Sequence, residues 1–304
     1  MGGEVMSTVL FDAPGPVAVR RHRLIAVATV VGLIAIAVAV IWKLAVEDQF
    51  TLARWEPFVT PSILEFLLEG LRNTLIAAAV AIVIAVPFGI IFGIGKLSDH
   101  AWLRWPSWLV VEFFRAVPLL MLILFIWAMQ GYPTTSVVPL ILGLILYNGS
   151  VLAEVFRAGI NAVPKGQAEA AYAIGMRKNQ VMRIIQLPQA VKIMLPAIIS
   201  QCIVALKDTS LGFYILAPVL TSQGRQIWNF FDNKLATAIV LAVVYIVLNL
   251  MLEQLGRWIE RRISTTGGGQ IAIVAGQVQA QVQAGAGGGQ TIAGAGGDMG
   301  GGDN

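Results

Sequence analysis

Long uninterrupted apolar runs constrain this chain more than any other feature of its sequence. A hydrocarbon core about 30 Å thick is crossed by about 20 helical residues. The runs that reach this length are Leu24–Val46, Thr74–Ile94, Trp108–Met129, Val137–Phe156, Leu195–Leu216 and Leu235–Leu255. Charged residues make up 12% of the chain, about half the share that is usual in soluble domains. The sequence therefore predicts an all-helical integral membrane protein with about six transmembrane helices.

Charged residues at the ends of the runs predict the orientation of these helices. Lys and Arg are enriched in cytoplasmic loops of membrane proteins. Basic residues precede the first run, separate the second from the third and follow the last, as Arg20, Arg21, Arg23, Lys96, Arg104, Arg257, Arg261 and Arg262. The connection after the first run is mainly acidic. We therefore expect a multi-pass protein of the bacterial cytoplasmic membrane with both termini in the cytoplasm.

Residue counts exclude several kinds of site. Cys202 is the only cysteine, so the chain can form neither an intrachain disulfide nor a thiolate cluster. His22 and His100 are the only histidines and lie far apart. The excess of 21 basic over 17 acidic residues is too small and too dispersed to indicate nucleic-acid binding. The sequence predicts no catalytic residues, no metal site and no cofactor bound by this chain.

The stretch Gly89–Ser98 is similar to a phosphate-binding loop, but Ile90 stands where such a loop requires its first glycine and Leu97 stands where it requires Ser or Thr after Lys96. Gly89 and Gly93 instead have the spacing of small residues that allows two membrane helices to approach closely. We therefore interpret them as packing residues.

The segment 161–191 is the one long interior connection and is too polar to span the membrane. Pro164 can occupy a first helical turn, and Gly175 can end the helix in a left-handed conformation. A second short helix is expected from Lys178 to about Gln186, ended by Pro188 because a proline disfavours helical geometry in the preceding residue. The pattern predicts two short helices that project into the cytoplasm.

This segment also carries a specific motif. It consists of Glu169-Ala170-Ala171, three residues, Gly175, nine residues, Ile185, one residue and Leu187-Pro188. At every position it resembles the EAA motif of permeases of ATP-binding cassette (ABC) importers. Small alanines allow close approach to a groove on a partner, and Glu169 offers a charge there. The resemblance implies a type I importer permease fold in which a coupling helix docks on a separate ATPase, with Gly166, Glu169, Ala170, Ala171, Gly175, Leu187 and Pro188 at the contact.

Further motifs narrow the resemblance to the polar amino acid branch of this family, which imports glutamate, glutamine, histidine or arginine. They are Glu112-Phe113-Phe114-Arg115 with Pro118, Glu154-Val155-Phe156-Arg157, Gly166-Gln167 and Lys207-Asp208-Thr209-Ser210-Leu211. The stretch Tyr147-Asn148-Gly149-Ser150 is most similar to glutamate permeases. The resemblance implies a second permease subunit (a different chain or a second copy), two ATPase subunits that hold ATP and Mg, and an extracytoplasmic solute-binding protein.

The resemblance also sets the expected domain organisation, in which the first span is an addition to the family's usual five. The predicted parts are residues 1–23 as a cytoplasmic N-terminus, 24–46 as the extra transmembrane helix, 47–69 as an extracytoplasmic connection, 70–262 as the permease core and 263–304 as a disordered Gly/Gln-rich cytoplasmic tail. The tail composition cannot bury enough apolar surface to offset its ordering entropy.

Ionisable and polar residues inside the spans are candidates for the substrate path, because such residues are costly in a membrane. The candidates are Lys207, Asp208, Ser210, Asn148, Glu154, Arg157, Glu112 and Arg115. The last four form pairs at i, i+3 spacing, so intrahelical ion pairs with a structural or gating role are an alternative to substrate contact. From Leu195, a rise of about 1.5 Å per residue places Asp208 on the order of 20 Å across the membrane. At that depth, we expect Lys207 and Asp208 either to line the substrate path or to neutralise other buried charged groups.

Two other classes of function fit fewer observations. An ion-coupled secondary carrier or channel that works without an ATPase could use Asp208 and Lys207 as relay groups, but it needs no helix shaped for an ATPase. An intramembrane enzyme would need a His, Cys or carboxylate set at catalytic spacing, and the sequence has none. The sequence therefore predicts a non-catalytic transport subunit.

Overall fold

The structure is a computed structural model that describes residues 16–131 and 136–263. Most of the predicted N-terminal segment and all but the first residue of the predicted tail lie outside the described residues. Within these ranges all regular structure is helical. The α-helices are α1 (Pro16–Val46), α2 (Leu52–Trp55), α3 (Pro61–Lys96), α4 (Ala101–Ala116), α5 (Leu119–Gln130), α6 (Val138–Asn161), α7 (Lys165–Ala173), α8 (Lys178–Gln180), α9 (Leu187–Asp208), α10 (Leu220–Phe231) and α11 (Lys234–Ile263).

The chain divides into two compact units, residues 1–58 and 59–304. In the first unit, α1 has an 18-residue apolar window in which no residue is buried within the chain. Its length and composition are those of a membrane span. Downstream of α1, the indole nitrogen of Trp55 donates a 3.2 Å hydrogen bond to the carbonyl of Gln49. The second unit contains all the remaining long helices and is a separate body.

The core of the second unit is the packing of α3 against α6. Along α3, small buried residues recur at nearly every fourth position, namely Gly70, Thr74, Ala77, Ala78, Ala81, Ala85, Gly89 and Gly93. A methyl group at Gly89 would lie 2.7 Å from the Cβ atom of Leu152, and one at Gly93 would lie 2.7 Å from the carbonyl oxygen of Ala153. Both distances are shorter than any van der Waals contact. The prediction that Gly89 and Gly93 serve helix packing is confirmed.

The span predicted over Trp108–Met129 is broken in the structure. Two helices, α4 and α5, replace it, and their axes differ in direction by 100°. Val117 has an extended backbone and Pro118 follows it. A proline ring clashes with a helical conformation in the residue before it, and its nitrogen has no hydrogen to donate. The described residues therefore contain five helices long and apolar enough to cross a membrane, or six spans if the bent pair counts as one.

The expectation that Pro188 ends a short helix is wrong. The chain continues from α8 through a π-helical turn, Val181–Gln186, directly into α9. At the junction, the N–H group of Leu187 donates to the carbonyl of Met182, five residues earlier. Pro188 then occupies the start of α9, where a missing N–H group is tolerated. The wider turn accommodates the proline without ending the helix.

One amphipathic helix was not predicted. After α9 the chain makes a 3₁₀ turn, Thr209–Ile215, and then forms α10 instead of continuing to a loop. Two hydrogen bonds hold the start of α10 against α3. The amide of Asn73 donates to the carbonyl of Pro218 at 2.9 Å, and the N–H group of Leu220 donates to the hydroxyl of Thr74 at 2.9 Å.

Candidate coupling segment and translocation path

Helix α7, which carries the EAA motif, has a well-defined end. Gly175 has φ +82°, the left-handed conformation expected for it. The N–H group of Met176 donates to the carbonyl of Ala171 at 3.1 Å, and that of Gly175 donates to the carbonyl of Tyr172 at 2.9 Å. This pair of bonds is a Schellman motif, which reverses the chain after the helix. A residue other than glycine would be strained at this position.

The two alanines of the motif lie in different environments. Glu169 and Ala170 are exposed, whereas Ala171 is buried within this chain at 5% exposure. Ala171 thus packs its own helix onto the chain, and only Ala170 is available to a partner. Two apolar side chains, Tyr172 and Ile174, are 46% and 79% exposed beside it. These two exposed side chains were not predicted from the sequence, because periodicity on so short a helix does not distinguish inward from outward positions.

The other predicted coupling residues lie in the first turn of α7 and at the start of α9. Gly166 is exposed and has no atom within 4 Å of the position of a Cβ atom. Leu187 is half-buried and Pro188 is exposed at the start of α9. We use the name coupling end for one end of the second unit. It is the end that carries α7, the α3–α4 connection and the C-terminal end of α6.

An ion pair joins α8 to the α3–α4 connection at the coupling end. Lys178 of α8 hydrogen-bonds to the carboxylate of Asp99. This hydrogen bond and the lysine charge lower the pKa of Asp99 below its ordinary value. Both side chains are exposed, so solvent screens the pair and its contribution to stability is small. It nevertheless shows that the connection after α3 and the segment after α7 are neighbours.

Five charged side chains meet at the coupling end, and we name them the charged cluster: Lys96, Glu112, Arg115, Glu154 and Arg157. The ammonium of Lys96 binds Glu112 at 3.0 Å and also binds Glu154. Arg157 donates from Nε to Glu154 at 2.9 Å, and Arg115 lies 3.6 Å from Glu112. The predicted intrahelical i, i+3 ion pairs are therefore present. Their role as structural, gating or substrate-binding groups stays a prediction.

Lys96 links the two intrahelical ion pairs, Glu112–Arg115 and Glu154–Arg157, into one cluster that joins three helices. Its side chain is 6% exposed and lies between carboxylates of α4 and α6, at the end of α3. A buried ammonium is stable only with such partners. The sequence showed that this lysine lies between an apolar run and a basic loop. It did not show that the side chain turns inward.

A second polar group lies deeper, along the inner faces of α6 and α9. The amide of Gln201 donates to Asn148 Oδ1 at 2.5 Å. The amide nitrogen of Asn148 faces the Asp208 carboxylate without closing a hydrogen bond of ordinary geometry. The hydroxyl of Ser150 is also buried and, within the described residues, has no hydrogen-bond partner. Buried polar atoms without partners are costly inside a membrane unless water or a ligand satisfies them.

Lys207 and Asp208, although adjacent, are in different surroundings. Lys207 is exposed and makes no ion pair with any described carboxylate, whereas Asp208 is half-buried next to Asn148. Ser210 lies in the 3₁₀ turn, where its carbonyl accepts a 3.2 Å hydrogen bond from the hydroxyl of Thr221. The eight predicted path residues therefore do not form one site. Four of them belong to the charged cluster, and the other four, Asn148, Lys207, Asp208 and Ser210, lie outside it. Asn148 and Glu154 are six residues apart on α6, or about 9 Å along its axis.

A family comparison matches residues 85–265 to the inner membrane component of binding-protein-dependent transport systems. This match covers the end of α3 and every helix from α4 to α11, and it includes the charged cluster, the polar group around Asn148 and the EAA motif. The chain belongs to this family. It is therefore an integral membrane permease of the bacterial ABC importer type, and the resemblance drawn from the motifs is confirmed.

Individual relatives are permeases for amino acids. The permease is 39% identical over 226 residues to the glutamate transport system permease protein GluD of Corynebacterium glutamicum, which covers 71% of this chain and 82% of that protein. It is 30% identical over 215 residues to the glutamate/aspartate import permease protein GltK of Escherichia coli O157:H7, covering 67% and 96%. Importer permeases for amino acids are therefore its relatives in sequence.

Solved structures support the same fold. A chain from an amino acid ABC transporter crystallised with histidines matches with a TM-score of 0.61 and 30% identity, covering 65% of the permease and 94% of that chain. A chain of the inward-facing MetNI methionine ABC transporter matches with a TM-score of 0.57 and 19% identity, covering 68% and 100%. The second likeness concerns the fold alone. The predicted all-helical importer permease fold is confirmed.

Proposed function

We propose that this permease moves glutamate or a closely related polar amino acid through the membrane, driven by separate ATPase subunits. The observation that carries the proposal is the exposed face of α7, with Glu169 and Ala170, next to the charged cluster that joins three helices. Glutamate transport is the named activity of the GluD and GltK relatives. The buried polar group around Asn148 provides hydrogen-bonding atoms of the kind that an amino acid zwitterion requires.

The coupling step takes place at α7. Glu169 pairs with a basic residue or a helix N-terminus of the ATPase, Ala170 allows close approach, and Tyr172 and Ile174 fill an apolar groove. Gly166, Gly175, Leu187 and Pro188 shape the two ends of this contact. ATP and Mg are held by the partner subunits, so this chain supplies movement and no hydrolysis.

The translocation path runs between α6 and α9. The carboxylate of Asp208 accepts hydrogen bonds from the ammonium group of the substrate, and the amide group of Asn148 donates to its carboxylate. Lys207 lies next to Asp208 at the end of α9, and Ser210 lies in the 3₁₀ turn that follows. Closer to the coupling end, Glu154, Arg157, Glu112 and Arg115 hold the ends of α4 and α6 together through Lys96. ATPase closure moves α7 and thereby changes which side of the path is open.

The membrane orientation follows from the basic residues at the coupling end and from the position of α7. We place the coupling end in the cytoplasm of a bacterium, and with six crossings both termini lie there too. A second permease subunit, either another chain or a copy of this one, completes the path. A solute-binding protein delivers the amino acid at the opposite end.

Reconstitution tests this proposal. The permease, its ATPase and its binding protein are assembled in liposomes, and uptake of glutamate, glutamine, histidine and arginine is measured with ATP, without ATP and with an ion gradient alone. We expect uptake that requires ATP and the binding protein and that prefers glutamate. Uptake driven by an ion gradient without the ATPase would instead identify a secondary carrier. ATP-driven uptake with another preferred amino acid would overturn the substrate assignment alone.

A further inference from the structure

A cavity of about 420 Å³ opens at the coupling end between the end of α3, helix α4 and the end of α6. Its volume lies in the range of small-ligand pockets, about 300–1,000 Å³. The side chains that line it are Lys96, Arg104, Trp105, Trp108, Glu112 and Arg157. The proposed transport cycle uses the charged cluster as a connection between helices and gives no role to Arg104 or to the two tryptophans.

The charge of the cavity wall is positive. Three of its side chains are cationic and one is a carboxylate. Arg104 makes no ion pair with a described carboxylate, and its only hydrogen bond within the described residues is the 3.2 Å bond from Nη1 to the carbonyl of Ser98. Arg157 binds Glu154 through Nε, which leaves the other donors of its guanidinium. The wall therefore offers several N–H donors to an anion.

The rim of the cavity is aromatic. Trp105 and Trp108 stand edge to face with ring centroids 5.8 Å apart, and they are 66% and 46% exposed. Tryptophan is enriched where the headgroups of a bilayer meet the hydrocarbon. Leu103 and Leu109 of the same helix are 41% and 61% exposed, as expected beside acyl chains. The bend of 100° after α4 gives this helix a direction different from that of α5.

We infer that this cavity binds the headgroup of an anionic phospholipid, with phosphatidylglycerol as the ligand that its chemistry fits. Arg104 and Arg157 donate to the phosphate oxygens, since a guanidinium matches a phosphate in geometry and charge. The exposed part of Glu112 accepts hydrogen bonds from the glycerol hydroxyls of the headgroup. Basic pockets between membrane helices on the cytoplasmic side are sites of this kind.

The aromatic rim distinguishes a lipid from a soluble phosphate. A soluble anion would gain nothing from exposed tryptophans and leucines at the entrance. A lipid gains from both parts of the site, because its phosphate enters the basic cavity while its acyl chains lie along the apolar face of α4. The lipid would thereby contact α4 directly beside Lys96 and Glu112, where three helix ends are joined.

Native mass spectrometry of the detergent-purified complex of the full-length permease with its ATPase subunits tests this inference. Phosphatidylglycerol, phosphatidylcholine and soluble glycerol 3-phosphate are titrated separately, and phosphatidylglycerol is also titrated against an excess of glycerol 3-phosphate. The variants are Arg104→Gln, which removes the cation, Arg104→Lys, which keeps it, and Arg257→Gln, which removes an exposed basic residue of α11 that does not line the cavity. All four proteins are compared for assembly with the ATPase.

We expect at least one phosphatidylglycerol to bind more tightly than phosphatidylcholine. Arg104→Gln should weaken that binding about fivefold, the ratio that corresponds to the typical contribution of one basic residue near an anionic lipid. Arg104→Lys should retain most of it and Arg257→Gln should leave it unchanged. Equal binding of the two lipids, or equal binding to the wild type and Arg104→Gln, would overturn the inference. Displacement of phosphatidylglycerol by glycerol 3-phosphate would show a soluble anion as the occupant and would also overturn it.

Discussion

Lys96 at the end of α3 forms an ion pair with Glu154 of α6, and the two side chains are only 6% and 10% exposed. The pair lies at the coupling end of α3, directly after Gly89 and Gly93, where α3 packs against α6. Because Lys96 also binds Glu112, a single ammonium holds α3, α4 and α6 together. Charged and close-packed contacts between α3 and α6 are therefore neighbours along α3.

Lys96→Met should destabilise the permease, because it leaves Glu154 buried with Arg157 as its one remaining charged partner. Breaking a buried ion pair costs about 3–5 kcal/mol, and the remaining partner should reduce this to about 1–3 kcal/mol. The measurement is the thermal unfolding midpoint in detergent. Arg257→Met is the control, since it breaks the exposed pair with Glu253 and should change stability by less than about 1 kcal/mol. Equal shifts in the two variants would contradict the role of Lys96.

Gly93→Ala should separate α3 from α6. The added methyl group would lie 2.7 Å from the carbonyl oxygen of Ala153 and 3.0 Å from the Cβ atom of Phe156, and neither atom can rotate away. Overpacking of this kind costs about 1–3 kcal/mol. Gly32→Ala is the matched control in a membrane-length helix, because nothing lies within 4 Å of its Cβ position. Unfolding midpoints measure both, and an unchanged midpoint for Gly93→Ala would argue against close packing there.

Glu169→Lys should insert and assemble normally but abolish the coupling of ATP hydrolysis to uptake. The change reverses the charge on the exposed face of α7 and does not touch a membrane span. Glu169→Gln keeps the size and loses only the charge, so it should be intermediate. Glu253→Lys reverses an exposed charge on α11 and serves as the control. Uptake per ATP is measured in liposomes, and wild-type coupling in Glu169→Lys would remove Glu169 from the ATPase contact.

Asp208→Asn should weaken substrate recognition. If the carboxylate binds the ammonium group, its loss should raise the substrate concentration for half-maximal stimulation of ATPase activity by about 10-fold or more, since a hydrogen bond to a charged group contributes about 1.5–3 kcal/mol. Asp48→Asn, an exposed position in the first unit, is the control. A lower unfolding midpoint with unchanged substrate dependence would instead assign Asp208 a structural role. No change in either quantity would place Asp208 outside the path.

The local predictions that succeeded concern residues whose role is decided by their own backbone or by near neighbours. Gly175 ends α7 because its left-handed conformation needs no partner outside that turn. Glu154 pairs with Arg157 because i, i+3 spacing brings them together on any helix. The predictions that the structure modified involve proline. The sequence showed Pro118 and Pro188 equally, but one breaks the chain into helices 100° apart and the other is absorbed by a π turn.

The sequence by itself determined that this chain is a helical membrane protein, which helix carries the coupling motif and which family it resembles. These properties follow from run length, residue type and spacing, and none depends on which helices are neighbours. Only the tertiary structure decided that Lys96 turns inward to join two carboxylates, that Ala171 is buried while Ala170 is exposed, and that Gln201 faces Asn148. Each of these depends on contacts between residues distant in the chain, and the direction of a side chain across a helix interface is set by the partner helix.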